Sequence, residues 1–395
     1  MEWKKIISEE TEAIYHQVVE IRRHLHHYPE LSFEEKETSA FIRNLLDKWG
    51  IPYEYPYVNH GFVAAVEGNK GPGKTIALRT DMDALPIWEE TGLEFSSANP
   101  GIMHACGHDM HMASMLGVLK LLHSCRDRLR GTILFIFQPA EEKIPGGAKL
   151  MLEEGIFKKR KPDLVLAQHV LPDMEAGKVG FKSGQYMASS DELYLTIRGK
   201  GGHGALPEKV NDPVLIAAQL LIALQQEINR KAPRGIPTVI SFGRVTANGA
   251  VNVIPDHVEL EGTFRTMDET WRARAHQMIT RISEGIAASM NGSAEVTIAK
   301  GYPVLFNDPE LTRQGRTFAS EFLGEDNVVD MEVRMTAEDF AWYSHSYPSL
   351  LYRFGTGEPG QTDASALHTS TFRTYEPSLK TGIAAMSYLA VQFLR

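Results

Sequence analysis

Short apolar runs alternate with helix-forming stretches along most of this chain, and that alternation limits the fold more than any other feature. Residues 8–27 place Ile14, Val18, Ile21 and Leu25 at spacings of three and four, the period of a helix with one apolar face. Pro29 closes that helix, and a second over 34–49 stops at Gly50 and Pro52. Residues 62–66 and 75–78 read as strands, 109–124 as a helix, 132–137 as an apolar strand, 147–154 as a helix and 164–167 as another strand. Such alternation predicts an α/β fold on a mixed, largely parallel sheet covered on both faces.

The order changes near residue 187. A strand at 192–198 is followed by a helix at 213–230, strands at 238–245 and 257–265, a helix at 269–290 and a strand at 294–299. That is β-α-β-β-α-β, the ferredoxin-like split motif. Two domains are therefore expected, one from 1–186 with 301–395 and an inserted α+β domain at 187–300, and 395 residues suit that division. The last helix is expected over 377–394.

The first domain carries the chemistry. His104-Ala105-Cys106-Gly107-His108-Asp109-Met110-His111 packs three histidines, a cysteine and an aspartate into one octapeptide, all groups that bind transition metals once deprotonated. Gly107 lets the backbone bend so that Cys106 and His108 can face one ion. His104 and His111 stay outside the expected ligand set. Other candidates lie where strands end, the place where open α/β sheets gather ligands. The strand at 75–78 runs into Asp81 and Asp83, the strand at 132–137 into Glu141 and Glu142, and the strand at 164–167 into His169. Adjacent carboxylates in a turn can both reach one cavity, one as a ligand and the other as a proton acceptor. Asp81 suits an acceptor that orients a metal-binding histidine. Cys125 reads as a small buried apolar residue. The glycine-rich turn Gly199-Lys200-Gly201-Gly202-His203-Gly204 matches neither a P-loop nor a dinucleotide fingerprint. It reads equally as a close approach to substrate and as a mobile loop. His368 follows Gly355-Thr356-Gly357, a flexible segment that could shape a pocket.

A net charge of −9 disfavours nucleic acid as a partner, since phosphate binding wants a basic surface. Two cysteines exclude a disulfide framework and fit a reducing compartment. The N-terminus lacks a signal-type apolar core, and no segment has the apolar length of a membrane span. The expectation is a soluble cytoplasmic protein with no membrane partner.

These segments resemble the amidohydrolase branch of the M20 metallopeptidase family, whose members include aminoacylases, hippurate hydrolases and indole-acetyl-amino-acid hydrolases. The matching motifs run from Arg22-Arg23-His24-Leu25-His26-His27-Tyr28-Pro29-Glu30-Leu31-Ser32 through 79–86, 104–111, 138–142 and His203-Gly204. They continue through Asn252-Val253-Ile254-Pro255, 262–265, Thr336-Ala337-Glu338-Asp339-Phe340 and Leu367-His368. The resemblance implies a zinc-exopeptidase-like catalytic domain with an inserted lid and dimerisation domain. It implies Cys106, His108, Glu142, His169 and His368 as ligands of two divalent ions per subunit, zinc or manganese, with cobalt or nickel possible. It implies Glu141 as general base, Asp81 as the acid behind a metal-binding histidine, and His203 as an oxyanion stabiliser reaching across a homodimer. Asn252 and Arg265 would hold the substrate carboxylate. Peptidase branches carry a ligand histidine where this chain has Arg79, which tilts the expected substrate from peptides towards N-acyl amino acids. The alternatives are a dipeptidase or carboxypeptidase of the same family and a non-catalytic protein with a structural metal.

Overall fold

The alternation read from the sequence builds an eight-stranded sheet. The computed structural model describes residues 2–360 and 365–395. In chain order the strands of the two main sheets are β1 Tyr53–Tyr57, β2 Gly61–Glu67, β3 Thr75–Asp81, β4 Thr132–Gln138, β5 Leu164–Glu175 and β6 Val179–Phe181, then β7 Asp191–Arg198, β8 Thr238–Thr246, β9 His257–Thr266, β10 Ser293–Lys300, β11 Val328–Asp330 and β12 Ser349–Gly357. The principal helices are α1 Glu2–His27, α2 Lys36–Trp49, α3 His108–Ser124, α4 Gly147–Glu154, α5 Pro213–Lys231, α6 Glu269–Ser289, α7 Pro309–Leu323 and α8 Ser378–Leu394.

The chain divides into two units. The first comprises Met1–Gly184, Phe306–Glu332 and Asp339–Arg395, the second Gln185–Leu305 and Val333–Glu338. In the first, the sheet order is β1-β2-β4-β3-β5-β12-β6-β11. β4, β3, β5 and β12 run parallel, while β1 and β2 join antiparallel at one edge and β6 is antiparallel to β12 at the other. Central strands such as β4 are buried along nearly their whole length, as a sheet covered on both faces requires. α3 is buried almost all round and packs against α1, α8 and β3. Glycine at 117 makes that possible, because a side-chain carbon there would come 2.7 Å from Ile383 Cδ1 of α8. Cys125, just past α3, is a buried free thiol.

Two sequence readings need correction. β5 does not stop at 167 but continues to Glu175, because its ladder with β12 pairs His169 with Arg353 and runs on to Gly357. Gly355-Thr356-Gly357 is not a flexible segment but the end of the buried strand β12. A side-chain carbon on Gly355 would lie 2.0 Å from the Glu175 carbonyl oxygen, so close backbone packing explains that glycine.

The second unit has the sheet order β8-β9-β7-β10, antiparallel throughout. β7 alternates buried and exposed residues, so Leu193, Leu195 and Ile197 form one apolar face. They share a core with Ile216, Leu220 and Leu224 of α5 and with Trp271, Ala275 and Ile279 of α6. Asp212 caps α5 by accepting from Val214 and Leu215 N–H, and Asp268 caps α6 by accepting from Trp271 N–H. The unit also takes in Val333–Glu338, which the sequence pattern left with the first, because Arg334 N–H donates to the Tyr186 carbonyl at 2.9 Å. Among the described residues no helix is long and apolar enough to cross a membrane.

Candidate metal centre

Three parallel strands of the first unit deliver side chains to one place. β3 ends on Asp81, with Asp83 just beyond; β4 ends on Gln138, ahead of Glu141 and Glu142; β5 carries His169 within its length. Cys106 and His108 come from the turn into α3. Gly107 between them has φ 79°, a conformation that glycine adopts freely. His368 enters from the segment before α8, and its backbone N–H donates to the Ala105 carbonyl at 2.9 Å, which ties it to the same turn.

The five expected ligands converge. Cys106 Sγ lies 3.6 Å from His169 Nε2 and 3.3 Å from His368 Nε2. His368 Nε2 is 3.3 Å from Glu142 Oε1. His108 Nε2 is 3.8 Å from Glu142 Oε1 and 4.0 Å from Glu141 Oε2. Three overlapping triads result, namely Cys106 with His108 and His169, Cys106 with Glu142 and His368, and His108 with Glu141 and Glu142.

The arrangement suits cations. His108 Nε2 and Glu142 Oε1 are buried without a hydrogen-bond partner, a costly state that a metal would relieve. His108 Nδ1–H donates to the Asp83 carbonyl and His169 Nδ1–H to the Val170 carbonyl, both at 2.8 Å. Each ring therefore presents its Nε2 lone pair to the cluster. Charge points the same way. Cys106, through its hydrogen bond, and then the Glu142 carboxylate 3.3 Å away push His368 up to about 10. Burial opposes the charged form of His108, yet Asp81, Asp83 and Cys106 together hold it well above the ordinary imidazole value. Burial, then Glu142, pushes the Cys106 thiol up. A pocket so rich in anionic groups favours a proton or a metal ion. The mixed thiol, imidazole and carboxylate set fits zinc, manganese, cobalt or nickel.

Asp81 works differently from the expectation. Its Oδ1 accepts from His111 Nδ1–H at 2.7 Å, and its Oδ2 lies 3.8 Å from His108 Nε2, too far for a hydrogen bond. The carbonyl behind His108 belongs to Asp83. His111 Nε2 accepts from Val170 N–H at 2.9 Å, so both ring nitrogens are engaged and His111 holds the backbone beside His169. Burial lowers the pKa of His111 despite Asp81, in keeping with this neutral tautomer.

Arg79 is buried and spans Gln138 Oε1 at 3.0 Å, Asp81 Oδ2 at 2.8 Å and Asp339 Oδ1 at 2.7 Å. Asp83, a candidate from its place just past the end of β3, accepts from Glu141 and Glu142 N–H, each at 2.9 Å. Asp339 N–H donates to Glu141 Oε1 at 3.4 Å.

The remaining candidates belong to the second unit. His203 and Asn252 are exposed and adjacent, joined by Gly204 N–H donating to the Asn252 carbonyl at 2.9 Å. Arg265 is half-buried on β9, with Nη1–H donating to the Met335 carbonyl at 3.4 Å.

Residues 77–392 match the model of the peptidase family M20/M25/M40. An N-acetyl-L-cysteine deacetylase of Bacillus subtilis (strain 168) is 41% identical over 340 residues, covering 86% of this chain and 80% of that protein. An N-acyl-L-amino acid amidohydrolase of Geobacillus stearothermophilus is 41% identical over 313 residues, covering 79% and 84%. A crystal structure of a Bacillus subtilis protein, described as a dinuclear metal-binding peptidase from the M20 family, superposes with a TM-score of 0.82 at 35% identity, covering 97% of this chain and 99% of that one.

Proposed function

We propose that this chain, which belongs to peptidase family M20/M25/M40 and is a hydrolase of linear amide bonds, splits N-acyl amino acids into a carboxylate and a free amino acid. The observation that carries this reading is the gathering of Cys106, His108, Glu142, His169 and His368 at one spot, with Glu141 beside them. Those five side chains would hold two divalent ions per subunit, and two of the candidate triads meet at Cys106. When bound, the ions supply Lewis acidity at the scissile carbonyl and make water acidic enough to react near neutral pH.

The protein's own groups do the rest. Glu141 takes a proton from the attacking water and returns it to the departing amine nitrogen, so one carboxyl serves as base and then as acid. Its burial limits competition from bulk water. Asp81, through His111, steadies the backbone next to His169. His203 donates to the developing oxyanion, a contribution of about 2.7–4 kcal/mol per donor at such sites. Asn252 and Arg265 grip the amino acid's carboxylate, Arg265 by a charge-assisted hydrogen bond. A homodimer and a cytoplasmic location belong to the same proposal.

Arg79 supports the amidohydrolase reading over the dipeptidase one. Its guanidinium is committed to Gln138, Asp81 and Asp339 and offers no lone pair to a metal. The names of the two relatives, a deacetylase of an N-acetyl amino acid and an N-acyl amino acid amidohydrolase, point the same way. Metal analysis coupled to an amine-release assay over acetyl, benzoyl and indole-acetyl amino acids and over dipeptides tests the proposal. Two ions per chain and chelator-sensitive release from N-acyl amino acids are expected. Faster cleavage of dipeptides, or no metal-dependent hydrolysis across the panel, overturns it.

A further inference from the structure

Three consecutive backbone amides form the turn that bears Glu141 and Glu142, and two buried carboxylates accept all three. Asp83 takes Glu141 N–H on Oδ1 and Glu142 N–H on Oδ2. The third, Ala140 N–H, donates at 2.7 Å to Oε1 of Glu35, which lies far away in sequence. Glu35 is fully buried. It stands at the N-terminal boundary of α2 but makes no side-chain capping bond there, so helix capping does not account for it. Its second oxygen, Oε2, is buried without a hydrogen-bond partner. A carboxyl placed this way is costly, and its hydrogen bond to a residue distant in sequence goes to the turn.

That turn needs restraint. Ala140 has φ 54°, a left-handed conformation that residues with a side chain rarely adopt. The peptide is held at both ends, since Gly147 N–H donates to the Ala140 carbonyl at 2.8 Å while Glu35 accepts from the amide. Space is tight as well, because a side-chain carbon at Gly147 would sit 1.7 Å from the Pro139 carbonyl oxygen. With the carbonyl side locked by packing and the next two amides held by Asp83, the acceptor on Ala140 N–H restrains the remaining amide of the turn.

We propose that Glu35 is a positioning residue for the catalytic base, holding Ala140 N–H in the left-handed turn that aims Glu141 and Glu142 at the metal centre. The catalytic consequence rests on the roles given to Glu141 and Glu142 above; the backbone restraint does not. Glu35 acts only through Ala140. What Ala140 requires is an acceptor oxygen at the right distance, not a negative charge. Burial and the neighbouring Asp83 carboxylate push Glu35 up to about 8, so the neutral acid prevails at neutral pH. A neutral amide of the same length is therefore an adequate replacement, and a shorter carboxylate is not.

The test compares E35Q, E35D and E35A with the parent as purified full-length chains. Backbone hydrogen exchange over 138–142 is measured without substrate, and kcat and KM are measured with the best N-acyl amino acid. E35A and E35D are expected to speed exchange at Ala140 by about fivefold, the worth of one hydrogen bond. The same two variants should lower kcat by about tenfold to a hundredfold, the scale of a misplaced reacting group, with KM little changed. E35Q should stay close to the parent in exchange and in kcat. If E35A does not fold, the contrast between E35Q and E35D still decides. Parent-like exchange in E35D, or an E35Q variant as impaired as E35D, overturns the proposal. If the parent hydrolyses no N-acyl amino acid, the functional reading fails while the exchange contrast still judges Glu35.

Discussion

Glu141 and Glu142 are neighbours in sequence with different surroundings. Glu142 Oε1 faces His368 and His108, whereas Glu141 Oε1 accepts from Asp339 N–H. Under the proposed function that difference separates the ligand from the base, and it can be measured. Glu141→Gln should keep its metal and lose about 10²–10⁴-fold in kcat, the usual worth of a positioned general base. Elemental analysis beside a turnover assay checks it, and normal turnover would remove Glu141 from the chemistry. His111 makes a second case. His111→Ala strands Asp81 Oδ1, while Oδ2 keeps Arg79, and strands Val170 N–H in the interior, at about 1–3 kcal/mol for each unpaired group. Urea unfolding of the chelated protein should show that loss, and metal affinity should fall as His169 loosens. An unchanged midpoint would mean that water takes over both bonds. Cys106, His108, Glu142 and His169 stood out as metal-binding types in a crowded motif or where strands end, whereas His368 entered the candidate set only through the family resemblance. What His111 and Asp83 bind was not legible, because both act on backbone amides, and a sequence shows which side chains exist but not which peptide groups they will meet.

At the level of elements, the entry to α3 decides how Cys106 and His108 are presented. Gly107 joins them with φ 79°, and a side-chain carbon there would meet Val170 Cγ2 at 2.6 Å. Val170 cannot withdraw easily, since its N–H is bonded to His111 and its carbonyl to His169. Gly107→Ala should therefore destabilise the protein by about 1–2 kcal/mol from the left-handed backbone alone, with the contact adding to it. Metal affinity should drop with it. Thermal unfolding and a chelator competition measure the two effects, and parent-like values in both would show that the turn adapts. The helices around this turn were readable from apolar spacing. β5 was readable only to residue 167, because the apolar run ends where the strand begins to carry His169 and the polar rim of the site. Partner strands, not composition, extend it to Glu175. The same holds for the end of β12, whose glycines look like a loop until the neighbouring carbonyls are in place.

For the whole molecule, the change from one helix–strand rhythm to another was visible near residue 187, while Val333–Glu338 joined the second unit through a backbone bond that no local pattern signals. Global stability offers a test that spans the chain, because groups buried in the first unit respond to pH in opposite senses. Glu89 is held down at about 2, since bonds from His26, Thr91 and Ser97 outweigh its burial. The folded state therefore releases that proton more readily than the unfolded chain, and the stability Glu89 contributes is present above about pH 4.5 and lost as pH falls towards 2. Glu35 has the opposite sign. Burial, then Asp83, raises it from 4.5 to about 8, so across that window the folded chain keeps a proton that the unfolded chain has shed. Stability must fall as pH rises through the window and level off above it. Glu35→Gln removes this dependence and leaves Glu89 and the other titrating groups in place, so the gap between variant and parent isolates one side chain. Urea unfolding of the chelated proteins should show the variant gaining on the parent between about pH 5 and about pH 9, by an amount on the order of a few kcal/mol. A gap that stays constant across that range would mean that Glu35 is already ionised in the folded protein.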